Sequence, residues 1–455
     1  MKINPSIFKA YDIRGVYKED FDEEMAYKLG RAYGQLRKKE LDKRNLNIVV
    51  GSDMRLSSPV LKEKLIEGLL DEGLTVVDID LSSTPSFYFA VSYYSYDGGV
   101  LVSASHNPGQ YNGFKMVRSK AVPLSGDTGI LTLRDMVLEN DFGEKISGGE
   151  SIKKEGVLAD QIKVRLKMAN PENIKKMKIV IDPANAMGAQ YFDELFKYLP
   201  CELVRINWDL DGTFPAHEAD PLKPENMQEL CAAVKKEKAD LGISTDGDGD
   251  RIFFVDNEGE IVESGVTKAF LSKIFLEGNA GKKIGHDIRP GKITEDVIRE
   301  NGGIPVPTKI GHSLIKEQAL REDIFFSTEA TGHFYFNMKD EGCYEVPTLI
   351  TLKVLEELSR GEETMAEHAN KYRKYFHSGE HNSIVDDPEK IMQNIKTKYS
   401  KGEINELDGI YIAFPEYWFS IRKSNTEPLL RLNLEAVDKK TMEEKRDEIL
   451  NLINS

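Results

Sequence analysis

The sequence is poor in cysteine, has no excess of positive charge and contains no long apolar run. Its three cysteines, Cys201, Cys231 and Cys343, are far apart and form no CxxC pair. That spacing excludes a disulfide scaffold and a cysteine-based zinc site, and it suits a reducing, cytoplasmic setting. Acidic residues number 76 against 61 basic ones, a formal net charge of −15. Such a chain repels phosphate backbones except at a local basic patch, so a general nucleic-acid binder is excluded. A small phosphorylated ligand is not, because a few arginines and lysines can reverse the field inside one cleft. No apolar stretch approaches the roughly 20 residues that span a bilayer, which gives no membrane partner. The opening Met1-Lys-Ile-Asn-Pro5 shows no apolar signal core. Low-complexity segments are also absent. What remains is an ordinary globular composition, 40% hydrophobic and 30% charged over 455 residues, long enough for about three domains.

Short β-branched runs alternate with longer amphipathic segments. Asn47 to Val50 reads as a strand, Pro59 to Glu72 as a helix and Leu74 to Ile79 as a strand; the pattern recurs from Lys178 and from Phe253. Alternation of this kind predicts α/β layers with mixed, mostly parallel sheets. Three apolar strands end alike: Val102-Ser-Ala-Ser105 before His-Asn-Pro, Ile243-Ser-Thr-Asp246 before Gly-Asp-Gly-Asp-Arg, and Phe326-Ser-Thr-Glu329 before Ala-Thr-Gly-His. Two upstream segments also match, Gly51-Ser-Asp53-Met-Arg55 and Gly285-His-Asp287-Ile-Arg289. The echo predicts three related α/β domains, each offering a loop at the C-terminal edge of its sheet, where ligands bind in open α/β folds. The stretch after about Tyr375 reads instead as a smaller α+β domain. Expected boundaries are 1–150, with a break at Gly148-Gly149, then 151–256, 257–371 and 372–455.

Asp246-Gly-Asp248-Gly-Asp250-Arg251 is the strongest single signal. Three carboxylates at alternate positions, separated by glycines, can wrap one hard cation. An EF-hand is excluded, because its sixth and twelfth positions, Gly and Glu, are Arg251 and Asn257 here. Carboxylates so close repel one another unless a cation neutralises them. They leave positions open on an octahedral Mg²⁺ that phosphate oxygens commonly fill. Ser105-His106 on a Gly/Pro-bearing turn is a candidate nucleophile and partner, with Lys115 on the following strand as a nearby cation. The chain lacks a GxSxG elbow, which disfavours a serine hydrolase. Arg422-Lys-Ser424-Asn425-Thr426, with Arg431 just beyond, suits a phosphate. Tyr11-Asp-Ile-Arg14 could hold another through Arg14. Glu329, Thr331 and His333 could bind sugar hydroxyls. His312 and Lys316 lie at a helix start that would attract an anion.

At these residues the sequence resembles the α-D-phosphohexomutase superfamily, most closely its phosphomannomutase/phosphoglucomutase group. Three motifs occur in the family's order, and the resemblance covers essentially the whole chain. It implies three related α/β domains and a smaller C-terminal one around a central cleft. It implies a phosphohexomutase of mannose and/or glucose phosphates, working through a phosphoserine at Ser105 and a hexose 1,6-bisphosphate. One Mg²⁺ would be held by Asp246, Asp248, Asp250 and a phosphoserine oxygen. Arg14, Lys115 and Arg251 would serve the transferring group, and Arg422, Ser424, Asn425, Thr426 and Arg431 the distal phosphate. Lys115, His106, Arg14 and His312 are acid/base candidates, unranked. Tyr11, Arg289, Lys316, Glu329, Thr331 and His333 would complete the substrate side. The expected partners are small hexose phosphates, with monomer and homodimer both open.

The chain also departs from the pattern. Thr331 stands for the usual serine of the sugar loop, Arg289 stands where a lysine often faces substrate, and Tyr344-Glu345-Val-Pro replaces an acidic Asp-Gly element. A mutase for another sugar, such as a hexosamine or pentose phosphate, and a silent sugar-phosphate binder are the alternatives.

Overall fold

A computed structural model of the chain describes residues 3–289, 291–423 and 429–454. Ser424, Asn425 and Thr426 of the expected phosphate loop lie outside the described residues. The chain divides into two compact units: Met1–Ile261 with Gly311–Asp323 and His333–Met365, and Val262–Ile310 with Ile324–Gly332 and Ala366–Ser455.

The first unit holds two mixed sheets. Strand Gly98–Val102 pairs in parallel with Asn47–Ser52 on one side and antiparallel with Tyr111–Arg118 on the other. In the second sheet, Leu241–Thr245 pairs in parallel with Lys178–Asp182 and antiparallel with Ile252–Val255. In both sheets the strand where parallel pairing gives way to antiparallel pairing carries a reactive loop at its C-terminal end. Both strands are buried along their whole length, as expected of near-continuous apolar runs covered on two faces. Helix Glu23–Leu41 shows how local chemistry sets the ends. The Asp22 carboxylate accepts from Glu24 N and Met25 N, Glu23 and Glu24 sit in the first turn, and Lys38 and Lys39 in the last, all in the favourable sense of the helix dipole.

The second unit contains three parallel strands, Ile304–Thr308, Lys283–Asp287 and Phe326–Thr328. Its C-terminal part is antiparallel, with five strands ordered Phe376–Ile384, Leu429–Ala436, Tyr417–Lys423, Ile410–Ala413 and Glu403–Asn405. Helices Pro388–Lys398 and Lys439–Ile453 cover that sheet through a separate core that includes Ile395, Phe419, Leu432 and Ile449.

Two features depart from the expected organisation. Strand Glu150–Lys153 pairs with Thr75–Asp78, so the first sheet continues past the Gly148-Gly149 break. The sequence reading also passed over Phe376–Ile384. It is a mostly exposed edge strand whose only buried residue is Ser383, so it carries no apolar alternation to read. Among the described residues no helix is long and apolar enough to cross a membrane.

Candidate functional site

The Ser105 loop is a hairpin connection between Gly98–Val102 and Tyr111–Arg118. Ser105 is left-handed, φ 51°, a conformation that costs a non-glycine residue about 1–2 kcal/mol. Its N–H donates to Ser103 Oγ at 3.1 Å. Its Oγ donates to Asp246 Oδ2 at 2.8 Å and lies 3.2 Å from His106 Nδ1. Burial, then the positive charges of Arg251 and Arg14, hold His106 well below its ordinary pKa, so the imidazole is neutral.

The aspartate loop is wound on itself. Asp246 Oδ1 accepts from Asp250 N and Arg251 N, each at 3.1 Å. Glycine is required at both intervening positions. A Cβ on Gly247 would lie 2.3 Å from Ser105 O, and Gly249 has φ 71° with Tyr191 against it. Asp248 faces the start of helix Thr84–Tyr93, where Thr84 Oγ1 donates to its Oδ2 at 2.5 Å and Thr84 N to its carbonyl at 2.9 Å. Ligand oxygens of Asp246, Asp248 and Asp250 all lie within 4.8 Å of one another, and all three residues are buried. Asp248 Oδ1 and Asp250 Oδ1 are buried without a hydrogen-bond partner. Burial, with the charges of Asp250 and Asp248, pushes Asp246 up to about 8. Orphaned hard oxygens and mutual repulsion are what a divalent cation relieves, so the donor set fits one.

Lys115 supplies part of that positive charge. Its Nζ lies 2.5 Å from Asp248 Oδ2 and 2.6 Å from Asp250 Oδ2. Burial alone would lower it, but the two carboxylates outweigh burial and hold the ammonium well above its ordinary pKa. His333 Nε2 is 3.2 Å from Asp250 Oδ1. Arg251 lies 3.7 Å from Asp246 and 3.6 Å from Asp220, with two buried nitrogens lacking a hydrogen-bond partner. Arg14 is held by Asp12 and donates to Asn107 Oδ1 at 3.0 Å. Tyr11 packs edge-on against His312, ring centroids 5.8 Å apart. Burial, then Lys316 and Lys115, keep His312 neutral. Lys316 is wholly buried, its Nζ 2.8 Å from Glu345 Oε2, so the structure places it on a carboxylate rather than at a solvent-facing helix start.

The other sequence candidates sit in the second unit. Arg289 bridges Asp287 at 2.7 Å and Glu329 at 3.0 Å. Thr331 follows Glu329 in the same loop, whose Ala330 carbonyl accepts from Ser264. Arg422 and Arg431 stand directly opposite in the antiparallel pair. Burial and the charges of Arg289 and Arg431 pull Arg422 below its ordinary pKa. The Nε atoms of Arg422 and Arg431 are buried without a hydrogen-bond partner. Like charges opposed in a sheet are destabilising, and an anion offsets that.

Sequence reasoning missed Thr84, whose Ser83-Thr-Pro signature marks a helix start but not its bond to a residue 164 positions away. It passed over Glu345 as a departure from pattern, and it assigned no role to Asp53 and Arg55.

Models of all four domains of one family match the chain: the phosphoglucomutase/phosphomannomutase alpha/beta/alpha domains I, II and III over residues 5–143, 158–259 and 266–375, and the C-terminal domain over 380–452. The phosphomannomutase of Vibrio cholerae is 38% identical over 98% of this chain and 98% of its own. The phosphohexose mutases of Xanthomonas campestris are 36% identical over 98% of each chain. A crystal structure of a phosphoglucomutase/phosphomannomutase family protein from Burkholderia thailandensis superposes with TM-score 0.89 at 30% identity, covering 99% of this chain and 97% of that one. By class, then, this is an intramolecular phosphotransferase. The chain belongs to the phosphoglucomutase/phosphomannomutase family, within the α-D-phosphohexomutase superfamily.

The buried histidines give the fold an acid limit. Burial holds His286 down to about 4 and His312 well below its ordinary value. The unfolded chain takes a proton on each below about pH 6.5 while the fold does not, so stability falls as pH drops. His217 acts oppositely. Asp182 outweighs the effect of burial and raises it, so its contribution is full below about pH 6.5 and fades as pH climbs through the raised value. Two depressed groups against one raised group give a lower denaturant midpoint at pH 5 than at pH 7. A His312→Gln chain should show a shallower dependence, and an unchanged slope would refute the account for that residue.

Proposed function

We propose that the chain is a Mg²⁺-dependent mutase that interconverts hexose 1-phosphates and hexose 6-phosphates of mannose and/or glucose, through phospho-Ser105 and a hexose 1,6-bisphosphate. The observation that carries this is the bond from Ser105 Oγ to Asp246 Oδ2 at 2.8 Å. It sets a candidate phosphoryl carrier directly on a three-carboxylate loop with orphaned buried oxygens.

A bound Mg²⁺, on Asp246, Asp248, Asp250 and a phosphoserine oxygen, supplies neutralisation of charge on the transferring group. The chain's own residues do the rest. In the first half-reaction the sugar hydroxyl attacks the phosphorus on Ser105, its P–O bond forms as the bond to Oγ breaks, and the hydroxyl proton passes to a base. In the second half the Ser105 hydroxyl attacks the other phosphate of the bisphosphate and the sugar oxygen leaves with a proton. Neutral His106, 3.2 Å from Oγ, and neutral His312 supply base capacity. Lys115, Arg14 and Arg251 add fixed positive charge, which is most of what phosphoryl transfer asks of a protein. Arg422 and Arg431, with Ser424, Asn425 and Thr426, take the distal phosphate. Glu329, Thr331, Arg289, Tyr11 and His333 address the sugar. Lys316 acts through its neighbours, not on the substrate. The setting is the cytoplasm, in keeping with three free cysteines.

The test is a substrate panel with Mg²⁺ and catalytic glucose 1,6-bisphosphate. Turnover is expected on mannose 1-phosphate or glucose 1-phosphate, lost with EDTA and restored by Mg²⁺. Activity confined to glucosamine 1-phosphate or ribose 1-phosphate would move the sugar assignment elsewhere, and turnover undiminished by EDTA would remove the metal from it.

A further inference from the structure

The paired motifs Gly51-Ser-Asp53-Met-Arg55 and Gly285-His-Asp287-Ile-Arg289 leave the first pair without a task in the chemistry above. Each motif closes a parallel strand. Each strand neighbours one whose end carries a reactive loop, Asn47–Ser52 beside Gly98–Val102 and Lys283–Asp287 beside Phe326–Thr328. In both motifs the arginine Nε donates to the aspartate Oδ2 two residues earlier, at 3.1 Å for Arg55 and 2.8 Å for Arg289. Both pairs then turn to the loop of their own module. Arg289 reaches the Glu329 carboxylate, and Asp287 Oδ2 accepts from Ala330 N at 3.1 Å.

Arg55 reaches backbone instead. It is wholly buried. Its Nη1 donates to Pro108 O at 2.7 Å and Tyr111 O at 3.0 Å, and its Nη2 to Ser105 O at 2.8 Å and Asn107 O at 2.5 Å. With Nε on Asp53, all five guanidinium N–H donors are used. The four carbonyls all belong to the Ser105 loop and its exit. Asp53 is itself fixed by Arg55 N at 3.1 Å and Ser58 Oγ at 2.6 Å. The Phe214 ring, 5.1 Å from the guanidinium, covers it. A clip meant only to join elements would spread its bonds over several. This one converges on the single turn that holds Ser105 left-handed with its Oγ toward Asp246.

We propose that Arg55, anchored by Asp53, is a positioning residue for the phosphoryl-carrying serine, the backbone-directed member of a repeated Asp-x-Arg device; the inference rests on Ser105 being that carrier. Lysine keeps the charge but lacks the planar fork that meets four carbonyls.

The test compares Arg55→Lys, Arg55→Ala and Asp53→Asn with the wild-type chain, reading hexose-phosphate turnover and, by intact mass, the rate at which Ser105 takes a phosphoryl group from glucose 1,6-bisphosphate. Expected for both Arg55 variants is a fall in kcat and uptake rate of roughly 100-fold, the scale of an ångström-sized misplacement, with KM within about threefold. Asp53→Asn should show a smaller fall of the same kind. Millimolar guanidinium should recover part of the Arg55→Ala rate and leave wild type unchanged, an effect that loss of global stability alone does not produce. Wild-type uptake in Arg55→Lys, or a loss seen only in KM, overturns the proposal. Should both Arg55 variants fail to fold by circular dichroism, Asp53→Asn decides: undiminished uptake overturns it. A wild-type chain that takes up no phosphoryl group at all defeats the function reading, and this inference with it. A wild-type chain that does, beside an equally competent Arg55→Lys, defeats only the inference.

Discussion

Ser105→Ala should abolish mutase turnover, with a fall of at least about 10⁴-fold, the scale on which an enzyme loses rate when its nucleophile is removed. No other hydroxyl takes its place in the geometry. Ser103 Oγ is occupied with Ser105 N, and Thr84 Oγ1 with Asp248. The fold should survive. Alanine keeps the backbone that Arg55 holds at Ser105 O, and the one bond lost is to Asp246, which burial and its acidic neighbours already push toward protonation. Stability should therefore stay within about 1 kcal/mol of wild type. Incubation with glucose 1,6-bisphosphate should add a phosphoryl mass to wild type and none to Ser105→Ala. A variant that kept a tenth of wild-type kcat would eliminate the phosphoserine route altogether.

The parts of this site legible in sequence are those whose chemistry sits in consecutive residues. Three aspartates alternating with glycines announce a cation loop without any fold, and the glycines prove to be steric necessities, Gly247 against the Ser105 carbonyl and Gly249 at positive φ. The three strand-end echoes were legible for a related reason. Strand, turn and reactive side chain are adjacent in sequence, and the register then places the first two at matching points of their sheets, where parallel pairing meets antiparallel. What stayed hidden joins distant segments. Thr84 on Asp248 spans 164 positions, and Arg55 on Ser105 spans 50. Asp53-x-Arg55 was visible as a repeat, but a guanidinium aimed at carbonyls leaves no mark on the residues it grips, since every residue has a carbonyl. Likewise the exposed edge strand Phe376–Ile384 is fixed by its ladder with Leu429–Ala436, a partner that local pattern does not reveal.

Lys316 and Glu345 show how far burial can change the meaning of a residue. As sequence, a lysine in the first turns of a helix after Gly-His-Ser suggests an anion site. In the fold both side chains are wholly buried, 2.8 Å apart, and the ammonium lies 4.0 Å above the Tyr88 ring. Their alignment is that of an ion pair and not of a hydrogen bond, since Nζ and both carboxylate oxygens lack a hydrogen-bond partner. Burial pushes Glu345 up and would lower Lys316, but Glu345 and Tyr88 hold Lys316 above its ordinary value. Removing one partner of such a pair strands the other, so Glu345→Ala should destabilise the chain by about 3–5 kcal/mol by chemical denaturation. Glu345→Gln, which keeps volume, should destabilise it less. Replacing both partners with apolar residues removes the stranded charge, so Lys316→Met/Glu345→Leu should return to within about 1 kcal/mol of wild type or exceed it. If Glu345→Ala alone stays within 1 kcal/mol of wild type, the pair is not the internal tie inferred here. The double variant also isolates an electrostatic role. Lys316 is the largest charge holding His312 neutral. Taking that charge away favours the imidazolium, so the His312 pKa must rise, and an activity limb that needs the neutral ring must move to higher pH. A stable double variant with an unmoved acid limb would take His312 off the acid/base candidates, leaving His106, Lys115 and Arg14.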